Sequence, residues 1–262
     1  MTAKGGRLQT GPTGREGRAR SPLRRRPTRA QLGAVYRALR EAYGEQQWWP
    51  SASEDGEDAR LEICLGAILT QNTAWRGAAA ALANLRNEGV LSCEAILDLP
   101  HDVLAQLVRP SGHFNVKARK LQAFAAVVVE ECGGSIDVLL DGEADEVRAR
   151  LLAIWGIGPE TADAMTLYAA RKPTFVVDAY SYRLFERLDL APGERKYDVY
   201  RDFLLEKIGP DVHDLNEWHA LIVRHGQQVC RRTAPRCDEC VLVRRCPFGR
   251  RELGLVSRNG DR

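Results

Sequence analysis

The sequence predicts an all-α protein, and three observations carry that prediction. Apolar residues recur at helical spacing in one stretch after another. No stretch of about four to eight residues alternates as a half-buried strand would. Short connections marked by Gly and Pro separate the periodic stretches. The chain has 262 residues, enough for one large or two modest domains, and its 44% hydrophobic content suffices for a core. There is no internal repeat.

The first expected helix runs from Thr28 to about Tyr43, through Leu32, Val35, Tyr36 and Leu39, and Gly44 ends it. Trp48-Trp49-Pro50 follows, then a polar acidic loop to about Asp58. Leu61 to Leu69 is strongly apolar and reads as a buried helix. Gln71-Asn72-Thr73 breaks the run and is expected to cap an Ala-rich helix from Trp75 to Leu85. Short helices are expected over Cys93–Leu97 and His101–Leu107. A loop at Ser111–Asn115 leads into a long helix, Val116–Cys132, which Gly133-Gly134 stops. Within that region His113 and Lys117 either touch a nucleic acid or are solvated. Further helices are expected over Ala144 to about Trp155 and Thr161–Ala170, with Pro159 in the first turn of the second. Beyond Asp178, three more read as Tyr180–Leu188, Tyr197–Lys207 and Leu215–Val229. In these, Tyr180 and Tyr182 read as core residues, and His219 and His225 as structural.

The stretch Leu151–Asp178 organises the rest. Gly156 and Gly158 are expected to take backbone angles closed to other residues and to leave peptide N–H groups uncovered. Such a hairpin at a helix N-terminus suits a phosphate, although it is also an ordinary helix–helix turn. Three apolar residues, Phe175, Val176 and Val177, then deliver Asp178 to the start of the next helix. That carboxylate is either a plain N-cap or a positioned functional group.

Charge is unevenly spread. Residues 1–29 carry nine Lys/Arg and one Glu within an overall net charge of +3, so the remainder is acidic. The tail's Gly, Pro and Arg content reads as disorder over residues 1–27, with attraction to DNA phosphates as a secondary effect. Residues 249–262 read as a second tail. No apolar run reaches the roughly 20 residues of a membrane span, and no secretory h-region is present, so a cytoplasmic location is expected.

Of seven cysteines, Cys64, Cys93 and Cys132 lie in apolar helical patterns and are expected to be buried thiols. Cys230, Cys237, Cys240 and Cys246 are spaced C-x6-C-x2-C-x5-C. Four thiolates in one short segment can surround a zinc ion or an iron–sulfur cluster, and the chemistry alone leaves both open beside two disulfides. Arg231, Arg232, Arg236, Arg244 and Arg245 crowd this loop; they can offset thiolate charge, face phosphates or be solvated surface.

The hairpin, the later Asp and this cysteine spacing, in that order, resemble the endonuclease III superfamily of DNA glycosylases over roughly Thr28 to Phe248. The resemblance implies a helix-hairpin-helix at Leu151–Gly158, a catalytic Asp178 and a [4Fe-4S] cluster on the four cysteines. Gln71, in LTQNT, stands where the family places a polar residue that fills the gap left by an extruded base. It also implies two helical lobes around a DNA cleft: residues 58–172 as a six-helix lobe with the hairpin, and 28–57 plus 173–248 as a cluster lobe. Double-stranded DNA with a damaged base is the implied partner, and a monomer the implied state.

Departures from the family refine the expectation. Bifunctional members place a Lys two residues after the second hairpin Gly, where it forms a Schiff base; here that residue is Glu160. Adenine-excising members carry a catalytic Glu where this chain has Ala67. Trp48-Trp49-Pro50, LTQNT, Trp75, Glu160 and VVDAYSY look like a bacterial 3-methyladenine DNA glycosylase branch, in which the positions of Trp48, Trp49, Trp75 and Glu160 line the base pocket. That branch's best-known member lacks the cluster cysteines retained here, which points to a cluster-bearing sister group. N3- or N7-alkylated purines are cationic and good leaving groups, so aromatic faces and an anion suit them. The expectation is a monofunctional glycosylase for alkylated purines. The alternatives are an oxidised-pyrimidine or mismatched-thymine glycosylase, and a non-catalytic iron–sulfur DNA-binding protein. Paired Trp also commonly serve packing, and Glu160 also suits a helix N-terminus.

Overall fold

The computed structural model describes residues 26–46, 48–49 and 56–256. The expected N-terminal tail up to residue 25, most of the acidic loop after Trp49, and residues 257–262 lie outside the described residues. Among the described residues every regular element is a helix.

Helix α1, Arg29–Tyr43, starts at a capping box in which Thr28 accepts from the Gln31 N–H and the Gln31 side chain accepts from the Thr28 N–H. It packs its Leu32, Val35 and Leu39 face against α11, Tyr197–Ile208, and α12, Val212–Gln228. Helix α2, Glu57–Leu69, is buried without interruption from Glu62 to Leu69. It is the central helix: α3, Trp75–Asn87, α6, Phe114–Cys132, α7, Ile136–Leu140, and α9, Pro159–Ala164, all pack on it. Helices α4, Cys93–Asp98, and α5, His101–Leu107, lie on α6. Helix α8, Ala144–Ala153, leads into the hairpin, and α10, Ala179–Arg187, leaves Asp178 to pack on α12 and α13, Pro247–Glu252.

Several expectations are corrected. The helix after the hairpin is not a continuous α-helix to Ala170. Its α-helical part ends at Ala164, and Met165–Ala169 is a π-turn with Ala170 N–H bonded to the Met165 carbonyl at 2.9 Å. The Thr166 hydroxyl donates to the Ala162 carbonyl at 2.8 Å, a back-bond that competes with the regular ladder where it slips by one residue. Gln71-Asn72-Thr73 does not cap α3: Ala74 is its N-cap and no side chain bonds there. Of the two hairpin glycines only Gly156 has a positive φ, +87°; Gly158 is extended at φ −96°, ψ 176°. Cys132 is half-buried, unlike Cys64 and Cys93. Lys117 is neither solvated nor free for DNA. It is buried, donating to the Leu69 and Ser111 carbonyls at 2.7 and 2.5 Å. Helices α7 and α13 escape the periodicity argument because five or six residues are too few to show it.

Candidate active site

Asp178 is delivered by a buried extended segment, Thr174–Val177, and caps α10. Its Oδ1 accepts from the Ser181 N–H at 2.7 Å and the Ser181 hydroxyl at 2.9 Å. Its Oδ2 faces His219 Nε2 at 3.6 Å. The plain N-cap and the positioned carboxylate are therefore the same residue, using different oxygens. Burial alone would raise the Asp178 pKa, but His219 and the Ser181 donors outweigh it and hold the carboxyl below the usual range.

Asp178 lines a pocket of about 460 Å³, which its other walls share with Trp48, Trp49, Trp75, Glu160 and His219. The volume is within the range of about 300–1,000 Å³ common for small-ligand sites. The indoles form one cluster: ring centroids lie 5.3 Å apart for Trp48 and Trp49, 5.6 Å for Trp48 and Trp75, and 5.1 Å for Trp49 and Trp75. Trp49 serves packing as well, since a Cβ at Gly66 of α2 would come within 3.2 Å of its ring. Helix α12 pins this segment from the other side. Asn216 donates to the Trp48 carbonyl at 2.5 Å, and the Glu217 carboxylate accepts from the Gln46 N–H at 3.0 Å.

Glu160 sits in the first turn of α9. Its side chain is exposed by surface area, yet the protein mass around the pocket mouth pushes its pKa up to about 7. The Asp178 charge adds to that rise and His219 opposes it. Two neighbouring carboxyls are thus driven in opposite directions, the pattern that separates an anion from a group titrating near neutrality.

Gln71 also lines the pocket, but its amide is docked on the hairpin. Nε2 donates to the Gly156 carbonyl at 3.1 Å and to Thr161 Oγ1 at 2.9 Å, while Lys120 Nζ donates to Oε1. The Lys120 stem lies against Gly156, where a Cβ would meet its Cγ at 2.5 Å. Gly158 is open: nothing lies within 4 Å of where its Cβ would be. Tyr180, expected in the core, is a half-buried pocket residue, and Tyr182 is half-buried outside it.

Tyr168 and His219 are among the pocket residues that escape the sequence reading. Tyr168 is carried inward by the π-turn, and its hydroxyl pairs with His219 Nδ1. No sequence signal marks it within an apolar run. His219 looks like an ordinary buried histidine of α12, and only the fold sets it against Asp178.

The four cysteines of the C-terminal loop converge between α10, α12 and α13. Arg187 Nη1 donates to Cys230 Sγ at 3.2 Å, and the Gly249 N–H donates to Cys246 Sγ at 3.3 Å. Burial pushes the Cys240 thiol up to about 11. Thiolate form is thus disfavoured unless a cationic core compensates it. A zinc tetrathiolate, with Zn–S about 2.3 Å, places its sulfurs about 3.8 Å apart. Among the described residues no three of these sulfurs lie within 4.8 Å of one another. Four thiols in one loop can hold a zinc ion or an iron–sulfur cluster.

The profile of the HhH-GPD superfamily base excision DNA repair proteins matches residues 65–210. That span holds the hairpin and Asp178; the tryptophan pair, His219 and the cysteine loop lie outside it. A candidate DNA repair glycosylase of Methanocaldococcus jannaschii is 38% identical over 213 residues, covering 81% of this chain and 94% of that protein. The 3-methyladenine DNA glycosylase MagIII of H. pylori, solved with 1,N6-ethenoadenine, aligns with a TM-score of 0.64 at 27% identity, over 77% of this chain and 98% of that one. An endonuclease III solved in a non-covalent DNA complex aligns with a TM-score of 0.73 over 87% of this chain and 99% of that one; at 18% identity it speaks for the fold.

Proposed function

Since the chain belongs to the HhH-GPD superfamily of base excision DNA repair proteins, we propose that it is a monofunctional DNA N-glycosylase that removes alkylated purines from duplex DNA. The observation that carries the reading is a low-pKa Asp178 beside an aromatic pocket in which Glu160 takes the place of a Schiff-base lysine. Among the described residues no lysine lines the pocket, which supports base removal without strand cleavage. The similarity to MagIII, named for 3-methyladenine, supports the substrate class.

The damaged nucleotide flips out of the stack into the pocket. Trp48, Trp49 and Trp75 offer π-faces to a cationic base, and ionised Glu160 complements its charge. The N-glycosidic bond breaks with its electron pair going to the base, which leaves neutral. The positive charge passes to the sugar as an oxocarbenium ion, and the Asp178 carboxylate stabilises it. Asp178 then takes a proton from the water that attacks C1′. The Gly156–Gly158 hairpin grips a backbone phosphate, and Gln71 fills the vacated stack. DNA lies in a cleft between two lobes, residues 58–172 and residues 28–57 plus 173–248, engaged by a monomer. Cys230, Cys237, Cys240 and Cys246 would hold a [4Fe-4S] cluster, which would tie the C-terminal loop to α10 and α12.

The test is duplex DNA carrying 3-methyladenine or 7-methylguanine, with released bases identified by mass spectrometry. Free base from wild type and none from Asp178→Asn is expected, with no borohydride-trapped adduct. Release confined to oxidised pyrimidines or mismatched thymine would replace the substrate class, and a trapped adduct would overturn the monofunctional reading. Visible absorbance together with iron and sulfide assays tests the cluster.

A further inference from the structure

Beside Asp178 lies a buried histidine with one ring nitrogen left over. His219 is 7% exposed, and its Nε2 has no hydrogen-bond partner among the described residues. Its Nδ1 pairs with the Tyr168 hydroxyl. Phe175 closes the ring edge-on, with centroids 6.2 Å apart and planes at 85°. Such an enclosed imidazole has few orientations open to it.

The proton positions follow from the donor inventory. Tyr168 is buried, with a pKa raised well above its usual value, so its phenol keeps its proton. Nδ1 is the phenol's hydrogen-bond partner among the described residues. The O–H therefore donates to Nδ1, and the imidazole proton resides on Nε2. Nε2–H then faces Asp178 Oδ2, the oxygen that the Ser181 cap does not use, at 3.6 Å. That gap admits a direct bond after a small closure.

We infer that His219, locked by Tyr168 in its Nε2–H form, is the positioning residue that orients Asp178 and keeps it an anion inside the pocket. The inference rests on the reading of Asp178 as the catalytic carboxylate. It adds a chain from the π-turn through α12 to Asp178, whose members no stretch of sequence places together. Three groups besides the Ser181 cap surround Asp178: its charge raises the pKa of Glu160 from α9 and of Tyr168 from the π-turn, and His219 from α12 lowers that of Asp178 itself. Asp178 and Glu160 repel each other as anions, and His219 is the donor that opposes the repulsion.

The test has two arms on the full chain. In the first, nitrogen-15 histidine NMR reads the tautomer without substrate. An Nε2–H ring whose Nδ1 accepts a hydrogen bond in wild type, becoming a tautomer mixture in Tyr168→Phe, is expected; an Nδ1–H ring overturns the relay. In the second, single-turnover base release is followed against pH in a Glu160→Gln background, which removes the neighbouring titration. His219→Leu is expected to lower the rate about 30- to 100-fold near pH 5.5 but less than about threefold near pH 8.5, because the acid limb moves up once burial is unopposed. His219→Gln, whose amide keeps a donor near Nε2, is expected to stay within about threefold of its parent at both pH values. Equal losses at every pH in both variants would make the residue merely structural and overturn the inference. If His219→Leu does not fold, Tyr168→Phe must show a smaller shift of the same sign, and an unshifted profile there counts against the relay. If no alkylated duplex releases a base, the functional reading fails while the NMR arm still decides the relay.

Discussion

Asp163 and Asp178 are buried carboxylates on either side of the π-turn, and the protein treats them in opposite ways. Asp163 is fully enclosed. Arg148 Nε approaches its Oδ1 at 3.0 Å and Arg201 Nε at 3.4 Å, and the Thr174 hydroxyl donates at 2.6 Å. Arg148 reaches on to Asp198, and Arg201 to Asp145, so the network ties α8, α9 and α11 to the segment that carries Asp178. The ion pairs require Asp163 as an anion, although burial pushes its carboxyl up against the pull of Thr174, Arg148 and Arg201. Asp178 instead has one oxygen saturated by its helix cap and the other facing a histidine across 3.6 Å. Full partnering makes a carboxylate a staple, and partial partnering leaves one fit to meet a developing positive charge.

Exchanging each acid for its amide separates these roles. Asp178→Asn is expected to lower single-turnover base release about a thousandfold, in line with the loss of a charge aimed at the transition state. The unfolding midpoint should move little, because Asn also caps helices well. A retained rate would remove Asp178 from the chemistry.

Asp163→Asn should do the reverse. It leaves two guanidiniums, each 11–14% exposed, without their shared anion. Losing one partner of such a buried network typically destabilises by roughly 3–5 kcal/mol. Denaturant titration would show the shift, while the rate per folded molecule should stay within about twofold. If the rate fell as far as the stability, the staple would also be part of the site.

Only one of these roles was legible in the sequence. Phe175-Val176-Val177 ending at an acid announced Asp178, and apolar periodicity located most of the longer helices. The cysteine spacing likewise marked its loop. Asp163 carried no mark, because its partners come from α8, α11 and Thr174 and meet only in the fold. The same holds for His219 and Tyr168. A π-turn is a one-residue slip of the hydrogen-bond ladder, and the Thr166 back-bond beside it leaves no periodic trace. Lys117 escapes the sequence for a related reason: its hydrogen-bond partners are backbone carbonyls, which have no residue type to read.

Glu160 sharpens the comparison as an acid between the two extremes. Its pKa of about 7 makes it neutral below that pH and anionic above it, while Asp178 stays ionised throughout. Release of a cationic base should therefore rise with pH through about 7. Glu160→Gln should flatten the profile and lower the rate about tenfold at pH 8, equivalent to about 1.4 kcal/mol of lost cation stabilisation. A neutral lesion assayed over the same pH range serves as the control. If its rate changes with Glu160 to the same degree, the carboxylate is not reading charge.

Gln71 extends the same logic to a neutral side chain. Its oxygen accepts from Lys120, and its nitrogen donates to Gly156 and Thr161, so by the standard of Asp163 it is locked rather than waiting. On the proposed gap-filling role, Gln71 acts together with the hairpin, because the bond to the Gly156 carbonyl joins the two. Lys120→Met removes one donor and preserves the stem that packs on Gly156. The expected loss is about 1 kcal/mol of positioning, or roughly a fivefold slower single-turnover release from duplex DNA. A single-stranded substrate has no vacated stack to fill, so its release rate should not change. The ratio of duplex to single-strand rates is therefore the informative measurement. An equal loss on both would assign Lys120 to the pocket itself, and no loss on either would show that Gln71 holds its place through Gly156 and Thr161 alone.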